Sequence, residues 1–297
     1  MEHEYYIGPA GWSYRDWEGI VYPTTAKKSF NELKYISHYF DTVEINSSFY
    51  RPPSAQTTKK WLESVSDNKC FSFTYKLWNR YTHHRDDFPG QEEETIVKHG
   101  IEPLLKNNKL GAMLIQFPWS FKMTSENLKW LGKVLSTFVD YLPIVEIRHS
   151  SWQNQDFFDF LKEHQAGYAN IDQPVIGESV VISQVTPGDV AYIRFHGRNE
   201  SNWFSESSDA ASRYDYLYNS SELSELLKSI SILIENSPKT YIIFNNHSRG
   251  QAVVNALQTS FLLAEEKVYV PQPLESYYSE LKSISKGDIQ PAQISLF

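Results

Sequence analysis

Short apolar, β-rich runs alternate with segments of helical periodicity along most of the chain, and this alternation constrains the fold more than any other feature. A parallel sheet requires it, because each helix carries the chain back before the next strand begins. About eight units of this kind favour a closed barrel over an open doubly wound sheet. The runs lie at 6–10, 42–46, 71–76, 111–117, 144–148, 167–171, 190–196 and 240–245.

The sequence therefore predicts a single α/β domain, a TIM (β/α)8-type barrel over residues 1–270, followed by a C-terminal extension at 271–297. Residues 173–189 have no helical period, which predicts an irregular connection between strands six and seven. Residues 199–219 are rich in Ser, Asn and Tyr and predict a long loop after strand seven. Apolar residues three and four apart predict covering helices around 128–138, 223–230 and 253–261.

The charge balance limits the classes of function. The 28 Lys and Arg are outnumbered by 36 Asp and Glu, which excludes a generally basic nucleic-acid-binding surface but permits a locally basic cleft. The single cysteine, Cys70, excludes an intramolecular disulfide, and its place before strand three predicts a buried small side chain. No signal-peptide pattern and no membrane-spanning apolar run are present. We therefore expect a soluble, cytoplasmic protein with no membrane partner.

Polar side chains stand at the end of nearly every predicted strand. Side chains at the C-terminal ends of barrel strands converge on one face, where the active sites of TIM barrels lie. Burying a charged group inside a barrel is costly unless it is paired or takes part in function. For any single residue, a structural ion pair is therefore the alternative to a functional role. For so many together, a functional site is the better interpretation. The residues are Glu44, Asn46, Lys76, Gln116, Glu146, Arg148, Asn170, Asp172, Arg194, His196 and Asn245.

Chemical roles follow from the residue types. Either glutamate would act as a base and the histidine as a proton donor, while the lysine and the arginines would hold an anion. The acidic residues and the histidine could instead bind a divalent metal, but the interleaved cations would repel it. The sequence therefore favours neither a metal nor another cofactor. The predicted catalytic residues are Glu44, Lys76, Glu146, Arg148, Asp172 and His196.

The loops at the same rim carry the residues expected to bind an anionic, phosphate-bearing ligand. Loops seven and eight of such barrels often bind phosphate through backbone N–H groups at a helix N-terminus. Aromatic residues gather beside cationic ones, as suits stacking on sugars or bases. A solvated basic edge and ordinary loop packing are the alternatives. The predicted ligand-binding residues are Trp12, Tyr14, Asn46, Tyr50, Arg51, Gln116, Trp152, Arg194, Gly197, Arg198, Asn245 and Asn246.

Several segments together resemble the YecE-like family. They are GPAGWSYRDWEGIVYP from Gly8, FDTVEINSSFYRPP from Phe40, LGAMLIQFPWSF from Leu110, VEIRHSSW from Val145, AYIRFHGR from Ala191 and YIIFNN from Tyr241. The resemblance covers about residues 7–264 and implies a TIM barrel. It implies no particular activity, because that family is catalogued as a domain of unknown function.

The last five residues have a separate resemblance. Gln-Ile-Ser-Leu-Phe is similar to the peptide by which bacterial proteins dock on the DNA polymerase sliding clamp. Gln293 would supply a hydrogen bond, and Leu296 and Phe297 would fill an apolar pocket. The polar stretch 285–291, which contains glycine and proline, predicts a flexible tether. Chance similarity and folding of the two apolar residues back onto the barrel are the alternatives.

Three functional hypotheses remain open from the sequence. The first is an enzyme, such as a phosphodiester hydrolase with carboxylate acid/base residues, that acts on a phosphate-bearing nucleic-acid or nucleotide substrate beside the sliding clamp. The second is a metabolic enzyme that acts on a phosphorylated or acidic sugar. The third is a non-catalytic binding or adaptor protein whose polar barrel residues are structural.

Overall fold

The computed structural model describes residues 3–24, 30–200 and 213–289, which form an eight-stranded parallel sheet in the order β1-β8-β7-β6-β5-β4-β3-β2. Each strand overlaps one predicted run, so the single barrel of the TIM type is confirmed. The strands are β1 Glu4–Pro9, β2 Thr42–Ile45, β3 Ser72–Lys76, β4 Leu110–Gln116, β5 Pro143–Glu146, β6 Gly167–Asp172, β7 Val190–Phe195 and β8 Lys239–Phe244.

The two ends of the sheet meet between β1 and β2, which nearly closes the barrel. β1 pairs with β8 in parallel along its whole length. β1 approaches β2 through a parallel bridge between Ala10 and Glu44, and the Gly11 amide donates to the Glu44 carbonyl at 2.8 Å. The C-terminal ends of all eight strands therefore surround a single opening.

Helices cover the outside of the sheet, and their starts follow from the local sequence. They are α1 Glu32–Ile36, α2 Ala55–Ser64, α3 Gln91–Lys106, α4 Ser125–Thr137, α5 Gln155–Glu163, α6 Ser220–Glu235, α7 Gln251–Ala264 and α8 Gln272–Tyr277. Thr124, Asn154 and Asn219 accept hydrogen bonds from first-turn amides of α4, α5 and α6, which satisfies donors that the helix leaves unpaired. The predicted apolar faces lie in α4, α6 and α7. No helix in the described ranges is long and apolar enough to cross a membrane.

The two predicted irregular connections flank β7. Residues 173–189 contain no helix and no strand of the sheet, which confirms the irregular connection between β6 and β7. Of the predicted long loop after β7, residues 199–200 and 213–219 belong to the described chain, and the segment between them lies outside it. Both connections reach the opening at the C-terminal ends of the strands, because one follows β6 and the other follows β7.

Alternate residues of the strands face either the helices or the barrel axis. In β2, Val43 and Ile45 are fully buried on the helix side. Glu44 points inward and bonds side chains of β7 across the barrel. The apolar core therefore lies between sheet and helices, and the inside of the barrel is polar towards its C-terminal opening.

Cys70 differs from its prediction. It lies in the turn before β3, at the end of the barrel away from the opening, but it is exposed rather than buried. Its backbone amide donates to the side chain of Asn68 at 3.0 Å, which holds this turn at the surface. A cysteine in a polar turn has no apolar periodicity to reveal which way it faces, so the sequence could not decide its burial.

Much of the C-terminal extension packs on the barrel. Leu274 and Leu281 are fully buried, and Val268 pairs with Ser285. Residues 285–288 are hydrogen-bonded to the folded chain, so the prediction of a flexible tether over 285–291 is wrong for these residues. The residues predicted to contact a partner, Gln293, Leu296 and Phe297, lie outside the described residues.

The close approach of β1 and β2 depends on a glycine. A methyl group at Gly8 would lie 2.1 Å from the carbonyl oxygen of Thr42, far inside contact distance. We expect Gly8→Ala to lower the free energy of unfolding by at least about 2 kcal/mol, because backbone must move to admit the methyl group. Urea unfolding measures this change. Gly188→Ala is the control, since nothing lies within 4 Å of the added atom there. Equal stability of the two variants would contradict the β1–β2 contact.

Candidate active site

A buried group of charged side chains crosses the barrel below its C-terminal opening. One terminal nitrogen of Arg194, in β7, donates to Glu44 of β2 at 2.6 Å, and the other donates to Glu146 of β5. All three side chains are fully buried. Because these strands are not neighbours in the sheet, the guanidinium links three separate parts of the barrel wall.

The ion pairs keep Glu146 and Arg194 charged despite their burial. Burial raises the pKa of the Glu146 carboxyl, but Arg194 and Arg148 outweigh it and hold that pKa well below its ordinary value. Burial also opposes the charge of Arg194, yet its two glutamates raise its pKa. The second oxygen of Glu44 accepts from the Tyr192 hydroxyl at 2.9 Å. Glu146 is therefore a weak base, and Glu44 is fully engaged in holding its partners.

Arg148 connects this network to the opening. Its Nε donates to Glu146 at 2.7 Å and its Nη1 donates to Gln173 at 2.7 Å. Nε2 of the fully buried His196 lies 3.2 Å from Arg148 Nη2, and Nδ1 lies 3.0 Å from the side-chain amide of Asn245. Burial, reinforced by Arg148, lowers the pKa of His196 well below its ordinary value. The ring is therefore neutral near pH 7 and does not supply an imidazolium acid.

A cavity of about 700 Å³ opens above the network, at the C-terminal ends of the strands. Its described lining contains three cationic side chains, Lys76, Arg148 and Arg213, and no carboxylate. Neutral amides of Asn46 and Gln116 also face it. The aromatic residues of the wall are Trp12, Tyr14, Phe49, Tyr50, Trp119 and Tyr214. The described wall thus combines rings with cationic side chains, of which Arg148 is matched by Glu146 beneath it, and such a wall favours an anionic organic ligand.

Lys76, at the end of β3, differs from the other cations of the site. Its Nζ lies 4.3 Å from the centroid of the Phe49 ring, and no hydrogen bond or ion pair reaches it within the described ranges of the chain. Burial lowers the pKa of this amine to about 8, with Arg194 adding to the effect and the two buried glutamates opposing it. At pH 7 the Lys76 amine is therefore neutral in about a tenth of the molecules.

The aromatic wall on the β1 side is held rigidly. Tyr14 stacks on His247 with ring centroids 4.4 Å apart and planes 7° from parallel, and its hydroxyl donates to the Ala10 carbonyl. The rings of Trp12 and Trp61 pack edge to face, with their centroids 5.5 Å apart. Burial lowers the pKa of His247 and raises that of Tyr14, so both rings are neutral near pH 7. These rings form a fixed, uncharged surface against which a flat or ring-shaped ligand can pack.

The predicted site residues fall into three groups. Those on the cavity wall are Trp12, Tyr14, Asn46, Tyr50, Lys76, Gln116, Arg148 and Asn245. Those buried beneath it are Glu44, Glu146, Arg194 and His196. Those away from it are Arg51, Trp152, Asp172, Gly197, Arg198 and Asn246. The structure therefore brings two thirds of the predicted residues to one place, but separates the groups that face the cavity from those that support them.

Four of the outlying residues shape the loop after β7 instead of the cavity. Asp172 accepts from Arg198 at 2.8 Å and from the Tyr218 hydroxyl at 2.6 Å. The same hydroxyl accepts from the Gly197 amide at 2.8 Å. Asn246 donates to a backbone carbonyl of that loop at 2.8 Å. Their positions at strand ends made them resemble the site residues, but their partners belong to the chain after β7 and do not line the cavity.

Trp152 is another rim aromatic that turns inward. It ends the short 3-10 helix Ser150–Trp152, and its ring is fully buried on Phe121, with its indole nitrogen donating to the Phe121 carbonyl at 2.6 Å. Arg51, by contrast, is exposed outside the cavity lining. Loop composition alone does not distinguish a ring that packs on the core from one that faces a ligand.

Sequence reasoning placed His83 on the basic rim, but it left Gln173, Arg213 and Tyr214 unassigned. Gln173 follows β6 directly, and its place after Asp172 was the signal that could have found it. Arg213 and Tyr214 lie at the end of the long loop after β7. His83 lies beside Phe49, and burial lowers its pKa to about 4. Nothing in the local pattern showed that these loops bend over the opening.

The described residues contain no group of three or more His, Cys, Asp or Glu side chains placed to hold a metal ion. The two central glutamates are instead bound by Arg194 and Arg148. A cation at their position would have to displace a guanidinium, which is unfavourable in a buried site. The chemistry that this arrangement can offer is anion binding and proton or covalent chemistry at the Lys76 amine.

Removing Arg194 tests the central network. We expect Arg194→Met to lower the free energy of unfolding by about 3–5 kcal/mol, because two buried carboxylates lose their counter-ion. Arg249→Met is the matched control. The partner of Arg249 is Asp215, and both side chains are substantially exposed, at 52% and 37%, so the loss should stay below about 1 kcal/mol. Denaturant unfolding of both variants measures the difference. Similar small losses would show that the buried carboxylates do not depend on Arg194.

Comparisons with a family model, a curated protein and solved structures all indicate the same family. A family model described as "Protein of unknown function DUF72" matches residues 6–276. The chain is 31% identical over 271 residues to the UPF0759 protein YunF of Bacillus subtilis (strain 168), covering 87% of this chain and 94% of that protein. A DUF72 family protein from Thermotoga maritima MSB8 superposes with TM-score 0.79 at 36% identity, covering 88% of this chain and all of that one.

A second DUF72 family structure, from Enterococcus faecalis V583, superposes with TM-score 0.75 at 27% identity and covers 88% of this chain and 95% of that one. The YecE-like resemblance of the sequence motifs is consistent with these matches. The fold, the extent of the match and the identity agree, and the chain belongs to the DUF72 family of proteins of unknown function.

Proposed function

We propose that the protein is an enzyme that acts on a small phosphate- or carboxylate-bearing organic molecule in the cavity at the C-terminal opening. One observation carries this proposal: the described wall holds Lys76, Arg148 and Arg213 but no carboxylate. Such a field stabilises an anion and repels a cation. The rings beside these cations suit a sugar or a base. Phosphorylated sugars and nucleotides combine both features.

The size of the cavity favours a small molecule over a polymer. Its volume of about 700 Å³ lies within the range usual for sites that enclose a single small ligand. A nucleic acid would have to place one nucleotide in it and leave the rest outside. The formal charge of −8 opposes binding of a long polyanion over the surface. A nucleotide or a phosphorylated or acidic sugar therefore fits better than a nucleic-acid strand.

Lys76 is the best-placed reactive group. Its amine faces the cavity, whereas Glu44 and Glu146 are buried beneath it and bound by guanidinium groups. We assign the glutamates to positioning Arg194 and Arg148, and the arginine at the opening to binding the anion. This assignment weighs against a phosphodiester hydrolase that uses a glutamate base, since neither carboxylate is free to accept a proton.

A ligand panel tests the proposal. Phosphorylated sugars and nucleotides are expected to raise the melting temperature of the full-length protein, and their unphosphorylated counterparts are not. Lys76→Met should weaken binding about tenfold, because one charge-assisted hydrogen bond is lost. Lys122→Met is the matched control. Lys122 also lies near an aromatic ring, 5.3 Å from the centroid of Trp119, but it is half exposed.

The panel also separates the alternatives. Stabilisation by sugars alone would favour a metabolic sugar enzyme, and stabilisation by nucleotides alone would favour a nucleotide-processing one. If no phosphorylated or carboxylated compound shifts the melting temperature, the enzyme proposal fails. A non-catalytic binding or adaptor protein would then be the better interpretation.

We also propose, from the sequence of the tail, that the protein docks on a bacterial sliding clamp. Gln293, Leu296 and Phe297 provide the hydrogen bond and the apolar pair that such docking requires. The full-length protein is expected to bind a bacterial sliding clamp in a surface-immobilised binding assay, and a chain ending at Ile289 is not. A double variant, Leu296→Ala with Phe297→Ala, should behave like the truncated chain. Equal binding by all forms, or none by any, would exclude the tail as a docking peptide.

A further inference from the structure

We propose that Lys76 forms a covalent imine with an aldehyde or ketone carbon of the bound ligand. The inference rests on the proposed function, since it specifies the ligand as an anion that also carries a carbonyl group. Three features of the site support it: the unpaired position of the amine, the charges around it, and the placement of an anion-binding arginine on the same wall.

The first feature is the position of the amine. Lys76 Nζ lies against the face of Phe49 and projects into the cavity, with no hydrogen bond or ion pair in residues 3–24, 30–200 and 213–289. Lys76 is half-buried, and a lysine withdrawn from water as a purely structural cation is normally paired with a carboxylate. Here the nearby carboxylates are already bound to guanidinium groups. Among the described residues, the amine therefore has no hydrogen-bonding or ionic partner, and a ligand in the cavity can supply one.

The second feature is the charge distribution. The two buried glutamates are matched by two arginines, so Lys76 adds a further positive charge to a balanced network. Desolvation and a neighbouring cation are the two conditions that activate a lysine as a nucleophile. Both act on this amine, because burial and then Arg194 lower its pKa to about 8. At pH 7 the neutral fraction is on the order of 100-fold larger than for an ordinary lysine.

The third feature is Arg148, which lines the same cavity and remains 13% exposed. A phosphate or carboxylate bound beside this guanidinium is attracted by its positive charge, while its hydrogen bonds to Glu146 and Gln173 stay in place. The rest of the ligand then lies between the aromatic walls, over the end of β3. A ligand that carries its carbonyl at a short distance from its anionic group would thus present the carbonyl carbon to Lys76.

The covalent step balances without any other reactant. Lys76 first gives one ammonium proton to solvent, and the free amine attacks the carbonyl carbon, forming a C–N bond while the C=O π bond breaks. The nitrogen then passes one of its two remaining protons to the oxygen. The oxygen then leaves as water with a second proton, and the nitrogen lone pair forms the C=N bond. Overall, an ammonium and a carbonyl give a protonated imine and one molecule of water, with no oxidation or reduction.

Pyridoxal 5′-phosphate is a suitable probe, because it combines a phosphate, an aromatic ring and an aldehyde. The full-length protein is incubated with it, treated with sodium borohydride to reduce any imine, and mapped by peptide mass spectrometry. We expect Lys76 to be the main modified residue. Lys76→Arg keeps the positive charge but cannot form the adduct, so modification at this position should be abolished. Lys122→Arg should leave the modification of Lys76 unchanged.

The pH profile adds a second readout. The free amine is the reactive form, so labelling of Lys76 should rise with pH and level off above about 8. Labelling of exposed lysines should continue to rise towards their ordinary pKa of about 10.4. A profile for Lys76 that follows the exposed lysines, or labelling spread evenly over them, would overturn the proposal.

A non-reactive analogue separates the failure of this inference from the failure of the proposed function. Pyridoxine 5′-phosphate has the same phosphate and ring but an alcohol in place of the aldehyde. If it raises the melting temperature of both the natural protein and Lys76→Arg, yet the aldehyde does not label Lys76, the anion site stands and the imine is excluded. If neither compound binds nor labels, both proposals fail for this class of ligand.

Discussion

The guanidinium of Arg194 is the interaction on which the rest of the site depends. It sits on the barrel axis and binds two carboxylates from strands that are not neighbours, Glu44 and Glu146. Burying three charges is favourable only when each one is matched, and here a second arginine and a tyrosine hydroxyl complete the set. The upper barrel is therefore filled by a polar network instead of the apolar layers usual in this fold.

This network explains the character of the cavity above it. The two carboxylates are buried beneath the cavity and bound by arginines. The described wall of the cavity therefore contains cationic side chains and no carboxylate. Lys76 is the clearest result of that arrangement, since its half-buried amine lies over Phe49 and has no carboxylate partner in the described part of the chain. Burial at this position lowers the pKa of Lys76, the one amine in the described wall, with Arg194 adding to the effect and the two glutamates opposing it.

The sequence predicted the strands well and the site incompletely, for different reasons. Strands appear as local apolar runs, so all eight were found within a few residues of their observed ends. The polar residue at each strand end was also visible, but its direction was not. Glu146 and Arg148 lie two residues apart on one face, yet one is fully buried and the other reaches the cavity. Position alone predicts Trp152 and Asp172 at the rim. In the structure Trp152 bonds the Phe121 carbonyl and Asp172 bonds Arg198, and neither lines the cavity.

What the sequence by itself determined is the order of strands and helices, the barrel, and the face on which polar groups gather. These features depend on periodicity and on connections between neighbouring elements. Only the tertiary structure decided which charges neutralise each other, because Glu44, Glu146 and Arg194 are up to 150 residues apart along the chain. It likewise decided that Lys76 has no ionic partner among the described residues, because the nearby carboxylates are already bound by the two arginines.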